Sequence, residues 1–78
     1  MIYVATFFAH IGTIRFKRYC DKEKLKAKMM PVPRALSSSC GTCVQFEADD
    51  DYEFSYESEE LEEVVKLLDG EYVSIYKA

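Results

Sequence analysis

The chain has 78 residues, 49% of them hydrophobic, with six Tyr, five Phe and a formal net charge of −4 at pH 7. That length makes one domain, residues 1–78, with enough bulky apolar material for a modest core. No apolar run approaches the roughly 18 residues of a membrane span, the acidic balance disfavours a generic nucleic-acid binder, which needs a positive field, and Met1–Phe8 lacks the basic and small-residue features of a secretion signal.

The first predicted element is a strand over Ile2–Phe8, short and rich in β-branched and aromatic residues. Its apolar residues occupy both parities, so it reads as a central strand covered on both faces. His10 to about Lys22 reads as a helix, with Ile11, Ile14, Arg18 and Tyr19 at roughly helical spacing. Lys24–Val32 reads as a second strand, because Leu25, Ala27 and Met29 alternate with Lys24, Lys26 and Lys28. A Pro-Arg-Ser-Cys loop follows. Thr42–Ala48 is a third strand, with Val44, Phe46 and Ala48 on one face and Cys43, Gln45 and Glu47 on the other.

Asp49-Asp50-Asp51 is a solvated turn or loop. Tyr52–Tyr56 alternates strictly, which leaves open whether it extends a hairpin from the third strand. Ser58-Glu59-Glu60-Leu61 has the pattern of a helix start, and Leu61, Val64, Val65 and Leu68 form a stripe that predicts a second helix up to Asp69-Gly70. Tyr72–Tyr76 is the last strand, with Val73 and Ile75 inward. The order β-α-β-β-α-β predicts an α+β ferredoxin-like sandwich, a four-stranded antiparallel sheet with two helices on one face. In that topology Ala9–Ile11, the Arg34–Cys43 loop and Asp69–Glu71 converge at one end of the sheet. The positive end of the first helix points there.

Charge is distributed unevenly. Residues 1–46 carry eight Lys/Arg against Asp21 and Glu23, and residues 47–78 carry twelve Asp/Glu against Lys66 and Lys77. Two adjacent helices of opposite sign facing each other across a seam would explain this; so would a basic patch for an anionic partner. Tyr3, Phe7, Tyr72 and Tyr76 form a candidate aromatic patch on the helix-free sheet face, which would favour a homodimer over exposure.

Chemistry concentrates in Pro31–Cys43, where two prolines, Arg34, three serines, Gly41 and two thiols crowd together. The prolines limit sheet pairing, and Ser37, Ser38, Ser39 and Gly41 favour a tight turn whose donors can form a nest for an anion. A thiol among such donors beside an arginine has its thiolate favoured, which makes Cys40 the candidate nucleophile and Arg34 its anion partner. Cys40-Gly41-Thr42-Cys43 also fits a dithiol redox couple or, paired across a dimer, a shared metal site. Within one chain only Cys20 and His10 remain as soft donors, so no complete metal site is expected. His10 is the one histidine, a polar helix opener or a base for Cys40. Three cysteines, two of them close together, argue against a secreted disulfide scaffold and for a reducing cytoplasm.

The run Pro31-Val32-Pro33-Arg34, then Ser37-Ser38-Ser39-Cys40-Gly41, behind the Tyr3–Phe8 strand, resembles the small bacterial domain family called putative selenium/sulfur carrier-like. The resemblance covers nearly the whole chain. It implies that Arg34, Ser38, Ser39, Cys40 and Gly41 form the site and that Cys40 holds sulfur or selenium as a persulfide-type adduct, with no other cofactor. It further implies partner proteins that donate and accept the chalcogen, and a carrier or thiol-transfer module instead of a self-sufficient enzyme. Cys43 falls outside that pattern, and the Asp49–Tyr56 stretch is longer than usual for it. A non-catalytic interaction module working through the aromatic face is the remaining alternative.

Overall fold

The computed structural model describes residues Met1–Ala78. It contains β1 (Ile2–Phe7), α1 (His10–Lys22), β2 (Lys26–Pro31), β3 (Thr42–Glu47), β4 (Leu61–Leu68) and β5 (Glu71–Lys77). The five strands form one sheet in the order β2-β3-β1-β4-β5, with every neighbouring pair antiparallel.

Central β1 is buried from Tyr3 to Phe7, and its two parities feed two clusters. On the front face Tyr3, Ala5 and Phe7 join Val44, Phe46, Leu61 and Val64 beneath Phe16 and Cys20 of α1. On the rear face Val4 joins Cys43 and Val65, flanked by Met30, Val32, Leu36 and Tyr72. Both-sided burial is what makes this strand read as a continuous apolar run. Phe16 is the hub of the front cluster, with ring centroids 5.5 Å from Phe7, 5.3 Å from Phe46 and 4.9 Å from Tyr56.

The ferredoxin-like sandwich is not formed, because the predicted second helix is a strand. Residues 61–68 mislead through a bulge. Phe7 pairs with Leu61 and Thr6 with Glu63, so Glu62 is extra. One inserted residue reverses the alternation. Leu61 and Val64, three apart, therefore share the front face, while Val65 turns to the rear. The i, i+3, i+4 spacing of a helix is thus mimicked by a bulged strand, and β-branched Val64-Val65 suits the strand. Ser58 still caps locally: its hydroxyl accepts the Glu60 N–H at 3.2 Å, but it caps a turn into β4.

This change moves the last strand. β4 occupies the place beside β1, and β5 is pushed to the sheet edge. Val73 and Ile75 are consequently exposed, not inward. Nor does an aromatic patch exist on the helix-free face. Phe7 is sealed under Phe16 of α1 and Tyr3 under Tyr52, Tyr72 is half-buried at the rear and Tyr76 is exposed on the edge strand. The expected seam between two charged helices is likewise absent. The basic and acidic portions meet only in surface pairs, Arg15–Glu60 at 3.2 Å and Lys26–Glu47 at 3.7 Å, which contribute little in solvent.

In place of a second helix, residues 49–60 form an extended strap across the front face. Tyr52, Phe54 and Tyr56 pack inward, and Glu53, Ser55 and Glu57 point to solvent. The strap is not a strand of the sheet: Glu53–Glu57 make no backbone–backbone hydrogen bond. The Tyr3 hydroxyl donates to the Asp49 carbonyl at 2.8 Å, and Lys66 Nζ donates to that of Asp50 at 2.9 Å. Beyond them, the strap closes on Gly12 of α1. A Cβ there would lie 2.5 Å from Glu60 Cβ, so only glycine admits this approach.

Candidate functional site

The connection from β2 to β3 leaves and re-enters the ladder at a narrow neck, where the Val32 N–H donates to the Gly41 carbonyl at 3.2 Å. Between these residues the loop folds over the rear of the sheet. A turn closed by Leu36 N–H to the Pro33 carbonyl at 3.0 Å lets Leu36 pack beside the rear cluster. Gly41, at φ +79°, then redirects the chain into β3 in a conformation that other residues seldom adopt.

Ser38 fastens this loop to the end of β1. Its hydroxyl donates to the Phe7 carbonyl at 2.9 Å and accepts the Cys40 N–H at 3.3 Å. Cys40 is thereby held over the first turn of α1, its Sγ 3.8 Å from Thr13 Oγ1. That helix start has no side-chain cap on Ala9 and no acidic residue in its first turn. Uncapped first-turn N–H groups and the helix dipole both favour an anion. One carboxylate comes close to the loop, since Glu62 Oε1 accepts the Ser39 N–H at 3.4 Å.

The three thiols differ in access. Cys20 and Cys43 are fully buried, and Cys40 is half-buried. Burial pushes the Cys20 thiol up to about 12, with Asp21 adding to the rise. Burial, with the field of Cys40 adding, pushes Cys43 up to about 11, and its Sγ lies 3.8 Å from the Pro31 carbonyl. Both stay protonated thiols at neutral pH. Cys40 is the one thiol that solvent reaches.

Of the residues singled out in the sequence, the structure brings Ser38 and Cys40 together. Ser39 turns to Glu62, Ser37 lines a rear groove beside Glu63 and Tyr72, and Arg34 is exposed with no hydrogen bond or ion pair. His10 is exposed and also bonds to nothing. Gly70 and Glu71 line that rear groove with Ser37, away from Cys40. Because β4 runs antiparallel to β1 from Phe7 toward Tyr3, the β4–β5 turn lies at the opposite end of the sheet. Sequence reasoning missed Thr13 and Glu62. Thr13 was within reach as a hydroxyl in the first turn of a helix whose positive end faced the loop; Glu62 was not, having been assigned to a helix.

Phe8 and Ile11, in the same β1–α1 connection, are each about half exposed, at 47% and 46%. They expose apolar surface in the connection to which Ser38 ties the loop. No group of three or more His, Cys, Asp or Glu side chains is arranged to hold a metal ion, and no helix is long and apolar enough to cross a membrane.

Compared with known proteins, the chain matches one family model, described as "Putative Se/S carrier protein-like", over residues 2–77. No curated protein matches it, and no solved structure does.

Proposed function

The chain belongs to the Se/S carrier protein-like family, and from that premise we propose that Cys40 is the acceptor thiol of a sulfur or selenium carrier. The observation that carries this reading is the contrast among the three thiols: two are buried and held protonated, while Cys40 sits half-exposed at an uncapped helix start, with the Thr13 hydroxyl at 3.8 Å.

The chemistry needs a co-reactant, a donor protein carrying a persulfide. The Cys40 thiolate attacks the terminal, sulfane sulfur of the donor. A new S–S bond forms on Cys40 as the donor's S–S bond breaks, and the donor cysteine leaves as a thiolate that takes up a proton. The product is a Cys40 persulfide, with no net oxidation; a selenium donor reacts in the same way. Thr13 supplies the hydroxyl beside the sulfur, and Ser38 sets the loop that presents it. The exposed Phe8 and Ile11 offer donor and acceptor proteins a place to dock beside the thiol.

Intact-mass spectrometry after incubation with a cysteine desulfurase and cysteine tests the reading. The wild-type chain gains the mass of one sulfur atom, which reductant removes, and Cys40→Ser gains none. Equal labelling of Cys40→Ser, or no labelling of the wild type, overturns it. Thr13→Val is expected to slow loading about 10-fold without changing its end point, the size of effect typical of losing one hydrogen bond to a charged group.

A further inference from the structure

We infer that Glu62 is a positioning residue for Cys40, and that the bulge in β4 is the device that aims it. Three consecutive residues of the loop are tied to three different elements. Ser38 donates to the Phe7 carbonyl at the end of β1, the Ser39 N–H donates to Glu62 Oε1 of β4 at 3.4 Å, and Cys40 Sγ lies 3.8 Å from Thr13 Oγ1 of α1. Of the three ties, the one to Glu62 depends on an irregularity of the sheet. The role rests on Cys40 being the acceptor thiol.

The core does not need the extra residue. Leu61 is opposite Phe7 and Glu63 opposite Thr6, with Glu62 unpaired between them on the β1 side. A strand lacking residue 62 would set Leu61 and Glu63 against the same two partners with no bulge. Glu62 therefore adds no ladder pair with β1. What it adds is a side chain, half-buried and bonded to the loop. Bulges re-aim side chains in this way, and the backbone groups around them must still find partners. The Glu60, Glu62 and Glu63 carbonyls are all taken. The Phe8 N–H donates to Glu60 at 2.7 Å, the Ala78 N–H to Glu62 at 2.9 Å, and the Thr6 hydroxyl, itself buried, to Glu63 at 3.3 Å. Glu62 thus projects from backbone fixed on both sides, as a group that must hold another in place requires. A carboxylate near an anionic sulfur is by itself unfavourable, so what Glu62 contributes is its acceptor oxygen and not its charge.

Single-turnover loading by a persulfide-bearing cysteine desulfurase, with amide exchange at Ser39 read by NMR on the same variants, tests the role. Glu62→Ala is expected to lower the maximal loading rate about 10-fold, the effect of losing one hydrogen bond to a charged group. The half-saturating donor concentration should not change, and exchange at Ser39 should quicken. Glu62→Gln keeps the acceptor oxygen and removes the charge, and should stay within about twofold of the wild-type rate. Deletion of Glu62 straightens the strand and leaves Leu61 opposite Phe7. It should load as slowly as Glu62→Ala while its denaturant midpoint stays near that of the wild type; should it fail to fold, the two substitutions decide alone. Loading of Glu62→Ala at the wild-type rate overturns the role, and so does a Glu62→Gln as slow as Glu62→Ala, which would assign the effect to charge. A wild-type chain that is never loaded defeats the carrier reading instead. Ser39 exchange then decides by itself: quickened in Glu62→Ala, it shows Glu62 holding the loop at Cys40; unchanged, it overturns the tie.

Discussion

The front of the sheet is covered in two halves by different means. Over β1, β3 and β2 lies α1, thirteen residues whose backbone groups bond to one another. Beside it lies the strap, whose Glu53–Glu57 backbone bonds to nothing in the protein and which is held by three inward rings, Tyr52, Phe54 and Tyr56. A helix brings its own hydrogen bonds and needs only an apolar stripe. An extended cover must leave its backbone to water and depend on side-chain packing alone, so it opens at lower free energy. The strap ends at Glu60, whose carbonyl accepts the Phe8 N–H at 2.7 Å and whose Cβ abuts Gly12. The weaker cover is therefore attached to the helix start over which Cys40 sits.

The largest expected effect comes from the ring that both covers share. Phe16→Ala removes the ring that seats α1 on Phe7 and Phe46 and that meets Phe54 and Tyr56, leaving Tyr19–Tyr56 as the ring contact between the two covers, and should cost about 3–5 kcal/mol in denaturant unfolding. A loss under about 1 kcal/mol would mean that the covers are independent. Next comes Gly12→Ala. Alanine favours the helix by up to about 1 kcal/mol, but its methyl group meets Glu60 Cβ, and overpacking of this kind costs about 1–3 kcal/mol. The net loss should fall on the strap, so hydrogen exchange at Tyr52–Glu59 should quicken while the central amides of α1 hold their rate. Equal quickening in both would erase the distinction between them.

The smallest effect is confined to alkaline pH. Burial, with Tyr19 nearby, pushes the Tyr52 phenol from its ordinary 10.0 up to about 12. The folded chain thus keeps a proton that the unfolded chain loses above pH 10, and the stability that this contributes is complete below pH 10 and lost as pH rises toward 12. Tyr52→Phe should change stability at pH 7 by no more than about 1 kcal/mol and flatten the decline above pH 10. An unchanged alkaline slope would show that the first ring of the strap is not held against the sheet.

Residue pattern alone located much of this molecule. The extent of the helix over His10–Lys22 and the central, doubly covered first strand were legible, but not the helix's buried face: Ile11 and Arg18 of the stripe read from the sequence are exposed, and Gly12, Thr13, Phe16 and Cys20 are buried. The alternation of Tyr52, Phe54 and Tyr56 was also legible, and those side chains do alternate, but alternation does not say whether a partner strand is present. Leu61–Leu68 was misread because periodicity assumes an unbroken register, and a bulge at Glu62 breaks it. At the site, the crowding of polar residues marked the Pro31–Cys43 loop, and the loop's serines divide there between the helix start, Glu62 and the rear of the sheet.

What the chain's own residues determined is local: where the backbone is stiffened, where it turns, which stretches must be buried, and that Cys40 lies in a loop while Cys43 begins a strand. Only the folded arrangement decided which of two strands lies beside β1, that the second cover is a strap and not a helix, and that Cys40 faces Thr13 while Arg34 stands free. The reason is that local pattern reports on neighbours within a few residues. Register, edge position and the pairing of a loop with a helix start are instead set by contacts between segments dozens of residues apart, where a single inserted residue in one strand changes the face that every later side chain presents.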